Sequence, residues 1–268
     1  VTDRHIVDPG TATYNMPMAF RLSGEVDVAA LAQALNAIVD RHPALRTVFR
    51  EIDEQPTQII QDRVEIALRQ VDLSALAEDE RQSALRRLMD ADDSLPFDLE
   101  NGPLLRAALL ACGGDASVLL LTMHHIVSDG LSVEIILREL GILYASFHSG
   151  QPASLTALPV RYADFSAWER LRILDEDLAI SARYWRQQLS GATPLLLPSS
   201  RRSRTAPRGN LGQGVSVVLP PDLLRGLKAL CVRERSTLFM AGLAAFSALL
   251  QRASGQSDVV VGTPIGNR

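Results

Sequence analysis

An α+β fold is what this sequence predicts, and three observations carry the prediction. Strand-like and helix-like segments are mixed without the strict βαβ alternation of a doubly wound sheet. Two apolar runs, residues 104–112 and 117–123, are joined by Gly113-Gly114-Asp115 in the manner of a hairpin. Two helical patterns, 162–172 and 175–189, follow one another with no strand between them. The 268 residues, 47% hydrophobic and 22% charged, suffice for one large domain or two smaller lobes.

The elements follow in order. Residues 17–24 alternate as a strand does. Asp27 stands where a helix N-cap belongs, and Val28, Leu31, Leu35, Ile38 and Val39 then recur at helical spacing until Pro43. Residues 46–52 and 57–61 read as strands around the turn-forming Asp53-Glu54-Gln55-Pro56, and 65–71 as a third. Residues 76–89 form a charged surface helix. Pro96-Phe97-Asp98 breaks the pattern before the hairpin. Its second run is dense enough for a buried central strand and leads into His124-His125. A helix over 132–147 follows. Tyr162, Phe165 and Trp168 at helical spacing read as core aromatics. Residues 199–214, rich in Arg, Ser and Gly without periodicity, read as a solvated linker. Beyond it come a strand at 215–219, a helix opened by Pro220-Pro221-Asp222, a helix over 237–253 and a strand at 258–262.

Several classes of function are excluded or disfavoured. A net charge of −4 and a pI near 5.8 disfavour a nucleic-acid binder. The basic residues are nearly all Arg, Lys228 being the one Lys, a skew that reads as coding bias. Cys112 and Cys231 are far apart with no CxxC, so they read as buried thiols of a reducing, cytoplasmic compartment. No apolar run is long enough to span a membrane.

The segment with chemical potential is Met123-His124-His125-Ile126-Val127-Ser128-Asp129-Gly130, which holds two of the five histidines. In extended backbone, neighbouring side chains point to opposite faces, so one histidine should pack inward and the other face a cleft. Metal ligation lacks a partner at ligand spacing, and a hydrolase triad lacks a G-x-S-x-G elbow. A histidine general base without a protein nucleophile fits better. Asp129 would need a cationic partner, for which Arg46 and Arg268 are the candidates. Gly130 permits close backbone approach and an N–H aimed at an oxyanion.

His124–Gly130, HHIVSDG, resembles the HHxxxDG motif of condensation domains from nonribosomal peptide synthetases, in the superfamily that includes chloramphenicol acetyltransferase. Further segments resemble the same family in the same order. They are Arg41–Phe49 (RHPALRTVF), Pro96–Leu99 with Gly102–Arg106 (PFDL, GPLLR), Tyr162–Trp168 (YADFSAW), Tyr184-Trp185, Thr237–Phe239 and Asp258–Arg268. Leu131 departs from the Trp or Val the family often has after its motif glycine. The resemblance covers nearly the whole chain.

The resemblance implies a two-lobed, chloramphenicol acetyltransferase-like α+β fold with the motif at the lobe interface. The first lobe would occupy 1–170, connecting helices and linker 171–212, and the opening of a truncated second lobe 213–268. The implied reaction is peptide-bond formation, in which the amine of an acceptor aminoacyl-carrier attacks a donor carrier thioester. His125 would face the substrates, with His124, Asp129 and Gly130 completing the site and Arg268 or Arg46 ion-paired to Asp129. The domain would bind no cofactor or metal of its own. Phosphopantetheine arms would arrive on donor and acceptor peptidyl carrier proteins, beside an adenylation domain. Three alternatives remain open at this point: a standalone CoA- or carrier-dependent acyltransferase, an epimerisation domain, and a carrier-binding module without activity.

Overall fold

Residues 11–172, 176–198 and 217–263 are described by a computed structural model. They fall into two compact units divided between Leu171 and Arg172. The first unit is built on a mixed sheet of order β1-β6-β5-β4. Its strands are β1 (Asn15–Ser23), β4 (Leu68–Asp72), β5 (Leu105–Ala111) and β6 (Ala116–His124). β6 runs antiparallel to both its neighbours, and β5 is parallel to β4. A parallel pair needs a crossover, which α2 (Glu78–Asp93) supplies.

Period-two alternation divides the sheet into two cores. Leu119, Leu121 and Met123 of β6 join Leu105, Ala107 and Leu109 of β5 on one face. There they meet α1 (Val28–Arg41) and α3 (Gly130–Ser149) through residues such as Leu35, Ile38, Ile136 and Leu140. Leu120, Ala108 and Leu110 face the other way, against Ala84 and Leu85 of α2. The sheet is thus covered on both sides, which is why β5 and β6 read as nearly continuous apolar runs.

The N-cap expected at Asp27 is present: its carboxylate accepts the Ala30 N–H at 2.9 Å. The hairpin of β2 (Thr47–Ile52) and β3 (Gln55–Ile60) forms a separate two-stranded sheet. Its turn is tighter than the four residues expected. Asp53 and Glu54 alone close it, both left-handed at φ 50° and 58°, so Gln55 and Pro56 pair within the ladder. Pro56 is tolerated because each strand of a two-stranded sheet is an edge. The expected strand at 65–71 opens only at Leu68. The Asn36 side chain takes both the N–H and the C=O of Ile66, at 2.8 and 3.1 Å, and removes that residue from the ladder.

α4 (Tyr162–Arg172) closes the first unit. Its aromatics are not the core residues expected, since Tyr162 and Trp168 remain 48% and 50% exposed. Their rings stagger along the helix through Phe165, with centroids 6.1 and 5.7 Å apart.

The second unit contains α5 (Glu176–Gln188), α6 (Pro221–Arg233) and α7 (Leu238–Ser254). Thr237 caps α7, accepting the Met240 N–H at 3.2 Å. The strands expected at 215–219 and 258–262 are not formed where described: 217–219 and 258–262 are irregular. A strand exists only as half of a ladder, and among the described residues neither segment has one. The linker at 199–214 lies outside the described residues. Cys112 and Cys231 are free and buried, and no described helix is long and apolar enough to cross a membrane.

Candidate active site

The site begins at the end of β6, the strand held on both sides. The backbone N–H of His124 donates to the Leu104 carbonyl at 3.1 Å, and that of His125 to the Tyr14 carbonyl at 2.8 Å. The histidine pair is therefore anchored to the chain on either flank. Alternation carries His124 to the α2 face with Thr122, and it is 4% exposed, whereas His125 is exposed to solvent.

The His124 ring lies between two aromatics. Tyr14 is tilted against it at 6.0 Å, and the Phe97 ring stands perpendicular to it at 6.1 Å and 87°. Its Nδ1 accepts the Ile126 N–H at 3.1 Å. An imidazole nitrogen accepting that bond carries no proton, so in the neutral ring the proton sits on Nε2. Burial pushes the His124 pKa down, and the neighbouring His125 charge adds to this. His124 is thus a neutral, oriented acceptor at neutral pH.

The turn that follows folds back on His124. Its carbonyl accepts the Val127 N–H at 3.1 Å and the Ser128 hydroxyl at 3.3 Å. Ser128 is buried, 5% exposed, with no described histidine or carboxylate hydrogen-bonded to its hydroxyl to act as a base. Ile126 and Val127 line a small cleft whose other walls include Pro43, Thr47, Phe49 and Tyr162. The RHPALRTVF and YADFSAW segments therefore share a cleft with the turn that follows the histidines.

Asp129 is the N-cap of α3. Its Oδ1 accepts the Ser132 N–H at 2.8 Å and the Ser132 hydroxyl at 2.6 Å. The sequence reading expects an ion pair at Asp129 and does not anticipate the cap, although Asp just before a helical pattern is a helix-start signal. Of the two expected partners, Arg268 lies outside the described residues. Arg46 donates through Nη1 to the Gln61 carbonyl, and its Nε is buried without a hydrogen-bond partner. Asp129→Ala is expected to cost about 1–2 kcal/mol through the lost cap. Asp129→Asn keeps a capping oxygen and should recover the share that belongs to the cap, as thermal melts of the two variants will show. Equal melting of Asp129→Ala and the wild type would discount the cap.

Gly130 is the first residue of α3, and a Cβ added there would meet nothing within 4 Å. Its backbone N–H belongs to the opening turn of the helix, whose donors have no partner inside the helix. The positive end of the helix dipole coincides with them.

Four contributors escaped sequence reading as site residues. Tyr14 and Phe97 enclose His124. Arg106 stacks over Phe97 with Cζ 3.8 Å from the ring centroid, and Thr122 donates to Asp92 beside it. Phe97 and Arg106 were visible within PFDL and GPLLR, but nothing in their spacing showed that they converge. Among the described residues, no group of three His, Cys, Asp or Glu could hold a metal ion.

Solved structures share this architecture. The SgcC5 protein from Streptomyces globisporus superposes with a TM-score of 0.77 at 28% identity, over 96% of this chain and 58% of its own. The first condensation domain of the CDA synthetase also gives 0.77, at 24% identity, over 96% of this chain and 60% of its own. The class is thus the condensation-domain form of the chloramphenicol acetyltransferase-like fold. A family profile described as "Condensation domain" matches residues 4–268, and the chain belongs to that family. Malpinin synthetase from Mortierella alpina is 44% identical over 256 residues, which are 96% of this chain and 3% of the synthetase. One of the linear gramicidin synthase proteins of Brevibacillus parabrevis is 43% identical over 260 residues. That match takes in 97% of this chain and again only 3% of the larger protein.

Proposed function

We propose that this chain carries the histidine-bearing part of a condensation site that joins two carrier-bound substrates by an amide bond. One observation carries the reading. His125 projects into solvent from a strand end anchored on both sides, and the N-terminus of α3 opens five residues later at Gly130. A proton acceptor and a cluster of backbone donors are thereby presented from one short turn. The family membership and the likeness to malpinin synthetase and linear gramicidin synthase support the same reading.

In the proposed reaction, a donor acyl group arrives as a thioester on the phosphopantetheine arm of one carrier protein. A second carrier brings an aminoacyl thioester with a free amine. The amine nitrogen attacks the donor carbonyl and forms the C–N bond. His125 takes or orients the proton leaving that nitrogen. The N–H of Gly130, at the positive end of α3, faces the developing oxyanion. Collapse breaks the C–S bond, and the donor arm departs as a thiol after taking a proton. No covalent bond to the protein is needed, because both substrates are tethered and alignment supplies much of the rate. The bare backbone at Gly130 leaves room for the carbonyl to approach. The neutral His124 and the buried Ser128 hydroxyl stay outside the bond-making steps.

The test is a single-turnover reaction of the full-length protein with loaded donor and acceptor carriers, read by the mass of the acceptor carrier. A gain equal to the donor acyl group is expected. Transfer to a soluble amine or alcohol alone would move the protein to the standalone acyltransferase class. Inversion of an α-carbon without transfer would indicate an epimerisation domain. Carrier capture with neither reaction would leave a binding module.

A further inference from the structure

We propose that Phe97 and Arg106 are positioning residues for the histidine pair: Arg106 holds the Phe97 ring, Phe97 holds the His124 ring, and His124 sets the turn that presents His125. The proposal rests on the reading of His125 as the residue that meets the substrates.

The guanidinium of Arg106 is fixed around its edge. Nη2 donates to the carbonyls of Asp92 and Leu95, both at 2.8 Å. Nη1 donates to the Pro96 carbonyl and Nε to the Asp92 carboxylate, both at 3.4 Å. With its donors engaged in its own plane, the group has only its faces left for packing, and Phe97 lies under one of them. Two further strands hold the same segment. Asn15 on β1 donates to the Asp93 and Leu95 carbonyls, and Thr122 on β6 donates to the Asp92 carboxylate. Side chains from β1, β6 and β5 thus clasp residues 92–95, the chain that delivers Phe97.

Phe97 is 8% exposed, and its ring packs perpendicular to the His124 ring with centroids 6.1 Å apart. This geometry limits how that ring can turn, and its Nδ1 is the acceptor that ends the strand at Ile126. Loss of the Phe97 ring opens space beside His124, lets it rotate, and releases the Ile126 N–H. The side chain of His125 then loses its fixed direction. Arg106 and Phe97 act on His125 only through His124, which separates them from catalytic residues.

The experiment uses the full-length protein with Phe97→Leu, Phe97→Tyr, Arg106→Met and Arg106→Lys, and two readouts. The first is the single-turnover rate against acceptor-carrier concentration. Phe97→Leu, Arg106→Met and Arg106→Lys should each lose about tenfold in maximal rate, because small misplacements of reacting groups are costly. Half-saturation by the carrier should stay unchanged. Phe97→Tyr keeps the ring and should restore the rate, whereas Arg106→Lys keeps only the charge and should not. The second readout is carbethoxylation by diethyl pyrocarbonate, with fragment masses separating His124 from His125. In the wild type His125 reacts and His124 is protected; in Phe97→Leu and Arg106→Met, His124 becomes reactive. Folded variants with wild-type rates and a protected His124 would overturn the proposal. So would a rate loss that merely follows the unfolded fraction in a thermal melt. If the wild type transfers nothing between carriers, the proposed function fails, and the labelling of His124 still decides this inference. If Phe97→Leu does not fold, Arg106→Lys carries the test.

Discussion

His125→Ala in the full-length protein is expected to slow carrier-to-carrier transfer by about a hundredfold or more, the scale of a lost general base. The melting temperature should stay close to that of the wild type. The side chain is exposed, and its backbone N–H bond to Tyr14 survives the substitution. Surface changes of this kind usually alter stability by no more than about 0.5 kcal/mol. His125→Gln separates two roles: it can orient an amine but cannot carry the proton at neutral pH. A His125→Gln rate near that of the wild type would mean orientation alone, and a rate as low as that of His125→Ala would mean proton transfer. Full activity of His125→Ala would remove the residue from the reaction and leave the α3 N-terminus as the main contributor.

The largest stability effect should come from Glu139. Its side chain is 6% exposed on α3, and Oε2 accepts from Arg41 Nε at 3.0 Å and meets His42 Nε2 at 2.6 Å. Arg41 also reaches the Thr156 carbonyl, so one carboxylate links α1, α3 and the loop that follows α3. Glu139→Ala would leave the Arg41 charge half-buried and without this carboxylate, at a cost of about 3 kcal/mol or more. For a unit of this size the melting temperature should fall by roughly 6–12 °C. Burial pushes the Glu139 carboxyl up, but the hydrogen bonds and charges of His42 and Arg41 outweigh it and hold the group below its ordinary 4.5. The folded state therefore binds the proton less readily than the unfolded one. This stabilisation is fully present above about pH 4.5 and is lost as the pH falls through the lower, folded value. Melting curves of wild type and Glu139→Ala should accordingly converge on acidification. A constant gap down to strongly acidic pH would show that the carboxylate is not the origin of the effect.

Local signals defined most of the first unit's elements. Asp27 marked the start of α1 and Pro43 its end, and the two apolar runs around Gly113-Gly114 became β5 and β6. The tighter β2–β3 turn and the Asp129 cap are local, whereas the strand departures depend on partners remote in the chain. Ile66 left its strand because Asn36, thirty residues earlier, took its backbone groups. Residues 258–262 have strand composition but no ladder among the described residues. The site shows the same division. The inward and outward directions of His124 and His125 follow from strand periodicity alone. The enclosure of His124 by Tyr14 and Phe97, and the link to Arg106, do not, because they depend on sheet order. That β1 lies beside β6 is a fact of topology that no window of sequence contains.

The β1–β6 pairing also has a kinetic side. β5 and β6 are joined by a short turn and can meet early, whereas β1 reaches β6 only by closing the chain between Ser23 and Ala116. Loops of that length make non-local strand pairing the slow part of folding. The final rungs of this ladder set Asn15 opposite His124 and the Tyr14 carbonyl on the His125 amide. During synthesis, the strand that will orient the histidines leaves the ribosome long before they do and must wait without its partner. Pulse-labelled hydrogen exchange should find the amides of the β5–β6 hairpin protected before that of His125. On that order of events, the contact that fixes the His125 backbone forms only after the β5–β6 hairpin is in place.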